Sequence, residues 1–216
     1  MQIILETTSK YLIPDLDPDS FIFFKDEAIT DGRGKLGVDQ NRILEIPDFI
    51  TESTAESLVS FFKEEDRWGE TAFNGSRGAP LQLGHIMPQD FGLPNSIFED
   101  INAKLKHAVA TVYNKNVIPT SIHAQKWEVG SSANPHSDNS DFEGNPTEGF
   151  DNLKYVGILY LNDDYLGGDL YFPEHNIQIH PNAGSMYIFS GGVENIHGVT
   201  EITSGTRYSI VSFWDF

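Results

Sequence analysis

The sequence contains no cysteine, and this absence removes several kinds of chemistry at once. Disulfide frameworks, thiolate metal sites and cysteine nucleophiles are all excluded. Long apolar runs are also missing, because no stretch approaches the roughly 20 apolar residues that a transmembrane helix needs. Residues 1–6 lack the basic start and the apolar length of a signal peptide. We therefore expect a cytoplasmic protein that makes no contact with a membrane.

Basic residues are scarce as well. Lysine and arginine together number 14 against 32 acidic residues, which gives a formal net charge of −18. Such a surface repels phosphate backbones, so no binding of nucleic acid is expected. An anionic small molecule would need its own buried cation, which makes each arginine a candidate ligand-binding residue.

The chain of 216 residues is predicted to form a single domain whose two parts differ in pattern. Residues 1–118 combine strand-like runs with two helices that support the core. Ser53 and Glu56 have the spacing of a capping box at the start of the first helix. The second helix is predicted to begin near Pro94. The expected buried faces are Ala55, Leu58, Val59 and Phe62 in the first helix, and Ile97, Ile101, Leu105, Ala108 and Val112 in the second.

Residues 119–216 are predicted to form the core of the domain and hold the candidate functional residues described below. Short strands alternate with turns there, which is typical of a β-sandwich or barrel. A long polar loop is expected over residues 139–152, directly after the His136-Ser137-Asp138 segment. The predicted fold class is therefore mainly β with supporting helices.

His136 and Asp138 form half of a candidate metal site. On an extended strand, residues two apart point to the same side, so both side chains can face one ion. His197 is the best candidate for a third ligand. Two histidines and one carboxylate with open coordination positions favour Fe(II), and the His-Glu-x-x-His motif of many zinc hydrolases is absent.

Arg207 is the only arginine after Arg77 and lies among apolar and small residues. A buried guanidinium needs an anion, and it can bind a ligand carboxylate through two hydrogen bonds. A hairpin with a three-residue turn at 203–205 would pair Glu201 with Arg207 and bring His197 to the same face. A two-residue turn at 204–205 would place His197 and Arg207 on opposite faces.

These residues, taken in order with three further motifs, resemble the Fe(II)- and 2-oxoglutarate-dependent dioxygenases, and most of all the prolyl 4-hydroxylase-like group. The further motifs are Tyr160-Leu161-Asn162-Asp163, Gly167-Gly168-Asp169-Leu170-Tyr171-Phe172 and Pro181-Asn182-Ala183-Gly184 with the strand that follows. The resemblance covers roughly residues 119–216. It implies a double-stranded β-helix, the jelly-roll architecture that cupins also have.

The resemblance also implies the roles of individual residues. His136, Asp138 and His197 would bind Fe(II), and the bound iron would take 2-oxoglutarate and O2. Arg207 and Tyr160 would hold the distal carboxylate of 2-oxoglutarate, and ascorbate is a further candidate cofactor. Trp127 stands where many members of the family have tyrosine, and Phe142 lies in the long loop. Both are candidate substrate contacts.

The expected activity is hydroxylation of a prolyl or similar residue in a peptide or protein, coupled to oxidative decarboxylation of 2-oxoglutarate to succinate and CO2. One alternative is an oxygenase that acts on a free amino acid or another small molecule. A second alternative is a non-oxidative, cupin-like module that uses its metal only for binding. The sequence does not indicate an oligomeric state.

Overall fold

The computed structural model describes residues 15–30, 32–33, 36–71, 83–86 and 95–216. The α-helices in this part of the chain are α1 (Glu52–Glu64) and α2 (Asn95–Tyr113). The strands are β1 (Ile22–Ala28), β2 (Gln40–Ile46), β3 (Gly69–Thr71), β4 (Leu83–Ile86), β5 (Ile118–Trp127), β6 (Ala133–His136), β7 (Tyr155–Tyr160), β8 (Leu170–Phe172), β9 (Ile177–Ile179), β10 (Met186–Ser190), β11 (His197–Val199) and β12 (Arg207–Asp215).

The strands form two antiparallel sheets. The large sheet has the order β1-β2-β10-β7-β12-β5-β4-β3, and the small sheet has the order β6-β11-β8-β9. The predicted double-stranded β-helix is confirmed. Strands from the N-terminal part lie at both edges of the large sheet, so the two parts of the chain share one sheet. That residues 1–216 as a whole form a single domain stays a prediction.

The helices cover the outer face of the large sheet, and their predicted apolar faces are buried. Leu58 of α1 and Leu105 of α2 belong to the same core cluster as Leu159 and Ile210 of the sheet. The other predicted core residues of both helices are buried too, except that the side chain of Ile97 and the residue Pro94 lie outside the described residues. Neither described helix has the combination of length and apolar character that crossing a membrane requires.

The predicted capping box at Ser53 is wrong. Helix α1 begins at Glu52, and Thr51 is its N-cap, with an extended backbone and a side-chain oxygen that accepts a hydrogen bond from the Thr54 amide at 3.2 Å. Ser53 therefore lies in the first turn. Closely spaced serine and threonine residues compete for this position, because each can satisfy a free amide of the first turn.

The inner face of the large sheet packs against the small sheet and forms a second core. Val156, Tyr160 and Tyr187 of the large sheet lie in one apolar cluster with Leu170 and Phe172 of the small sheet. Because side chains alternate along a strand, Arg207 and Ser209 share this inner face with Val211. The space between the sheets is where the candidate ligands meet.

The predicted hairpin between the last two strands is also wrong. β11 pairs with β6 and β8 in the small sheet, whereas β12 pairs with β5 and β7 in the large sheet. Arg207 is opposite Trp127 instead of Glu201. The segment between the strands crosses from one layer to the other, and Gly205 within it has a positive φ of 78°. His197 and Arg207 both face the interior because their strands belong to opposed sheets.

Candidate active site

Two paired strands of the small sheet bring the predicted metal ligands together. His136 ends β6, His197 begins β11, and the two residues are opposite each other in the strand register. Asp138 lies just beyond β6, with its Oδ1 atom 3.6 Å from Nε2 of His136 and its Oδ2 atom 3.6 Å from Nε2 of His197. One ligand atom of each residue lies within 4.8 Å of the others, and no other such trio is found among the described residues.

Backbone carbonyls orient both imidazole rings. The Nδ1 atom of His136 lies 2.7 Å from the carbonyl oxygen of Asn134, and the Nδ1 atom of His197 lies 3.0 Å from that of Asn195. An N–H at Nδ1 can donate to each carbonyl, which leaves the lone pair of Nε2 directed toward Asp138. Metal-binding histidines in proteins are commonly fixed in this way by a hydrogen bond from the second nitrogen.

Burial keeps His197 neutral, as a metal ligand must be. Its side chain packs against Phe189 and Phe172, with ring centroids 4.6 Å and 5.9 Å away. Burial lowers the pKa of His197 to about 4, although the charge of Asp138 acts in the opposite direction. The imidazole is therefore unprotonated at neutral pH. Two imidazole nitrogens and one carboxylate, grouped on one side, fit a divalent transition metal with further positions open.

Arg207 is buried in the interior with only 2% of its surface exposed. Its guanidinium stacks on Trp127, 4.1 Å from the ring centroid, and donates one hydrogen bond of 2.9 Å from Nη1 to the carbonyl oxygen of Gly168. Its Nε atom has no hydrogen-bond partner in the described part of the chain, and no described carboxylate forms an ion pair with it. A buried guanidinium that lacks a counter-charge among the described residues is suited to bind an anionic ligand.

Tyr160 lies beside the arginine, with the guanidinium carbon 5.5 Å from the centre of its ring. The side chain is fully buried, and its hydroxyl has no hydrogen-bond partner among the described residues. Burial raises the pKa of the Tyr160 phenol, and the positive charge of Arg207 partly opposes this shift. The hydroxyl therefore keeps its proton at neutral pH and can donate it to an acceptor.

The structure places the two candidate substrate contacts in different surroundings. Trp127 is 4% exposed, and its indole N–H donates a 3.0 Å hydrogen bond to the side-chain oxygen of Gln125. It forms a wall of the arginine pocket. Phe142 is 57% exposed on the loop between β6 and β7. The contact of either residue with substrate stays a prediction.

Sequence reasoning missed two side chains that the fold adds to this region. Ser209 and Tyr165 are both buried, and both hydroxyls have no hydrogen-bond partner among the described residues. Ser209 could have been found from strand alternation, since it lies two residues after Arg207. Tyr165 lies in a loop and carries no such signal.

Comparison with known families agrees with this geometry. Residues 122–215 match the model of the 2OG-Fe(II) oxygenase superfamily. Over these residues the chain is similar to this superfamily. The matched region includes the three candidate metal ligands together with Tyr160 and Arg207. Members of the superfamily use Fe(II), 2-oxoglutarate and O2, as the sequence resemblance implies.

Several prolyl hydroxylases are similar to this chain in sequence. Human prolyl 3-hydroxylase 3 is 48% identical over 61 residues, which are 26% of this chain and 8% of the relative. A Xenopus tropicalis protein described as 2-oxoglutarate and iron-dependent oxygenase domain-containing protein 3 is 30% identical over 144 residues, 58% of this chain and 41% of the relative. The chain thus spans less than half of the length of these relatives.

Solved structures of prolyl hydroxylases share the fold. The Trichoplax adhaerens enzyme, in complex with a peptide of the hypoxia-inducible factor oxygen degradation domain, aligns with a TM-score of 0.63 and 16% identity, over 80% of this chain and 83% of that chain. A Pseudomonas putida prolyl-4-hydroxylase aligns with a TM-score of 0.61 and 18% identity, over 80% of this chain and 91% of that chain. The predicted resemblance to the prolyl hydroxylase group is confirmed.

Proposed function

We propose that this protein is a 2-oxoglutarate-dependent dioxygenase that hydroxylates a prolyl residue of a peptide or protein. The observation that carries the proposal is the arrangement between the sheets. A trio of two histidines and one aspartate shares the interior with a buried arginine that forms no ion pair among the described residues. Such an arrangement fits a metal and a dicarboxylate bound side by side.

His136, Asp138 and His197 would hold Fe(II) and leave coordination positions for 2-oxoglutarate and O2. When bound, the iron and 2-oxoglutarate supply the oxidising chemistry that hydroxylates a C–H bond and yields succinate and CO2. The protein then needs no acid or base of its own for this step. We also propose ascorbate as a reductant that maintains the iron between turnovers.

Arg207 would bind the distal carboxylate of 2-oxoglutarate, and Tyr160 would donate a hydrogen bond to the same group. The stacking of Trp127 and the bond to Gly168 fix the plane of the guanidinium. A fixed guanidinium loses little freedom when it forms a two-fold hydrogen bond to a carboxylate. Burial between the sheets excludes water, which strengthens the interaction. This pocket distinguishes the proposal from a module that only binds a metal.

A peptide or protein substrate is supported by the relatives that are named as prolyl hydroxylases, one of which is in complex with a peptide. The loop of residues 139–152 leads away from Asp138 and presents Phe142 and Phe150 to solvent. This loop contains four acidic residues and no lysine or arginine. We propose that it contacts a substrate of neutral or basic character.

The test is turnover of a panel of proline-containing peptides with Fe(II), 2-oxoglutarate and O2. We expect formation of succinate together with a mass increase of one oxygen on a peptide, and NMR of the product would show whether carbon 3 or carbon 4 of the ring is modified. The matched control is the variant His136→Ala, which should form neither product. Turnover of a free amino acid and of no peptide would contradict the proposed substrate class.

A further inference from the structure

A second buried tyrosine lies beside the arginine pocket and has no role in the function proposed so far. Tyr165 is 3% exposed, and its hydroxyl has no hydrogen-bond partner among the described residues. Three other polar atoms of this region share that property, namely Nε of Arg207 and the hydroxyls of Tyr160 and Ser209. Buried polar groups without partners are unfavourable and rare, so four of them together indicate a polar ligand.

The ring of Tyr165 contacts the groups that hold the arginine. A methyl group built on Gly168 would come within 3.0 Å of an edge carbon of the Tyr165 ring, so ring and glycine are in close contact. The carbonyl of the same glycine accepts the hydrogen bond from Arg207. Tyr165 also belongs to the apolar cluster that contains Trp127, the residue on which the guanidinium stacks. Tyr165 is thus part of the wall of the pocket.

The surroundings of Tyr165 also suit a hydrogen-bond donor. Its ring lies 5.1 Å from that of His180, and a 2.7 Å contact with Asp169 holds His180 in turn. These contacts fix the position of the phenol. Burial raises the pKa of Tyr165, while the charge of Arg207 acts in the opposite direction. The phenol therefore keeps its proton at neutral pH and can donate a hydrogen bond, as Tyr160 can.

We propose that Tyr165 is a further hydrogen-bond donor to the distal carboxylate of 2-oxoglutarate and helps the pocket to select a dicarboxylate. This inference rests on the proposed function and adds one specificity-determining residue to it. A carboxylate offers about four acceptor sites, and a two-fold bond to Arg207 with one bond to Tyr160 occupies three of them. Of the two other hydroxyls that lack a partner among the described residues, we assign the remaining bond to Tyr165, because its ring contacts Gly168, the glycine that accepts the hydrogen bond from Arg207.

The test is calorimetric titration of the Mn(II)-loaded protein with 2-oxoglutarate and with 2-oxopentanoate, which has the same length but lacks the distal carboxylate. The variant Tyr165→Phe should bind 2-oxoglutarate about tenfold more weakly, the loss of one hydrogen bond to a charged group. Its affinity for 2-oxopentanoate and for Mn(II) should equal that of the wild type. Equal weakening for both oxo acids would indicate a merely structural role and overturn the proposal.

Tyr155→Phe is the matched control. Tyr155 is also fully buried with a hydroxyl that lacks a hydrogen-bond partner among the described residues, but it lies on the opposite face of the large sheet and stacks on Tyr113 of α2. Its loss should leave both affinities unchanged. If Tyr165→Phe binds 2-oxoglutarate as the wild type does, the inference is wrong and the proposed function stands. If the wild type itself does not bind 2-oxoglutarate, the proposed function fails first.

Discussion

At the scale of single residues, each side chain of the candidate site is held in place by its neighbours and still presents one group to a ligand. Each histidine is oriented through Nδ1, so that Nε2 faces Asp138. Arg207 is held by a ring and a carbonyl, but no described carboxylate neutralises it. The types of these residues were predictable from the sequence, because strand alternation and the buried charge of a lone arginine constrain them. Tyr165 was not predictable, since a loop residue reaches the pocket only through the tertiary fold.

Arg207→Ala should weaken 2-oxoglutarate binding about 100-fold, since a charge-assisted, two-fold hydrogen bond contributes ~2–3 kcal/mol. Metal affinity should not change, because the metal ligands lie on the other sheet. Titration of the Mn(II)-loaded protein measures both constants. Arg67→Ala removes an exposed arginine and serves as the control. Unchanged affinity for 2-oxoglutarate in Arg207→Ala would show that the distal carboxylate is bound elsewhere.

At the scale of elements, the site depends on the distance between β6 and β11. Gly198 of β11 lies so close to the neighbouring strands that a methyl group there would come within 2.7 Å of the Ala133 carbonyl oxygen and of the Tyr171 ring. β6 and β11 cannot move apart to make room for such a group without separating His136 from His197. The sequence indicates the existence of these strands, but not their partners. Pairing between distant segments depends on how the chain crosses between layers, which is why the predicted hairpin was wrong.

Gly198→Ala should therefore lower metal affinity by about tenfold or more, because overpacking that shifts strands is destabilising by ~1–3 kcal/mol. Val199→Ala is the matched control, since it removes side-chain volume from the same strand without crowding its neighbours. Titration with Mn(II) or Co(II) compares the two variants. If Gly198→Ala binds metal as the wild type does, the spacing of these strands does not determine the site.

At the scale of the whole molecule, the interior contains many phenols that must stay protonated. Burial raises the pKa values of the buried tyrosines Tyr113, Tyr155, Tyr160, Tyr165 and Tyr187. In the unfolded chain these groups lose their protons near pH 10. Below that pH their contribution to stability is complete, and it is lost as the pH rises through 10 toward the folded values.

The free energy of unfolding should accordingly fall steeply above pH 10, by up to about 1.4 kcal/mol per pH unit for each such tyrosine. Lys104 acts in the opposite direction between pH 8 and about 10.4, since burial lowers its pKa to about 8, but it is partly exposed and contributes less. Denaturant titrations between pH 8 and 11 measure the slope. Tyr155→Phe should make the fall of the unfolding free energy with pH shallower. An unchanged slope would show that the Tyr155 phenol has the same pKa in the folded and the unfolded chain.

The net charge of −18 also belongs to this scale. If the substrate is basic, attraction between the acidic surface and the peptide should be screened by salt. The KM for a basic proline-containing peptide should rise several-fold between low and physiological ionic strength, whereas kcat and the KM for a neutral analogue should change little. Equal salt dependence for both peptides would argue against electrostatic recognition of the substrate.

The central claim is that the trio His136, Asp138 and His197 and the pocket around Arg207 act together as one oxygenase site. The most direct measurement is the conversion of 2-oxoglutarate to succinate by purified protein with Fe(II) and O2, compared among the wild type, Asp138→Ala and Arg207→Ala. We expect succinate from the wild type, none from Asp138→Ala, and restored turnover of Arg207→Ala only at much higher 2-oxoglutarate concentration. No iron-dependent succinate from the wild type, with or without peptide, would contradict the claim.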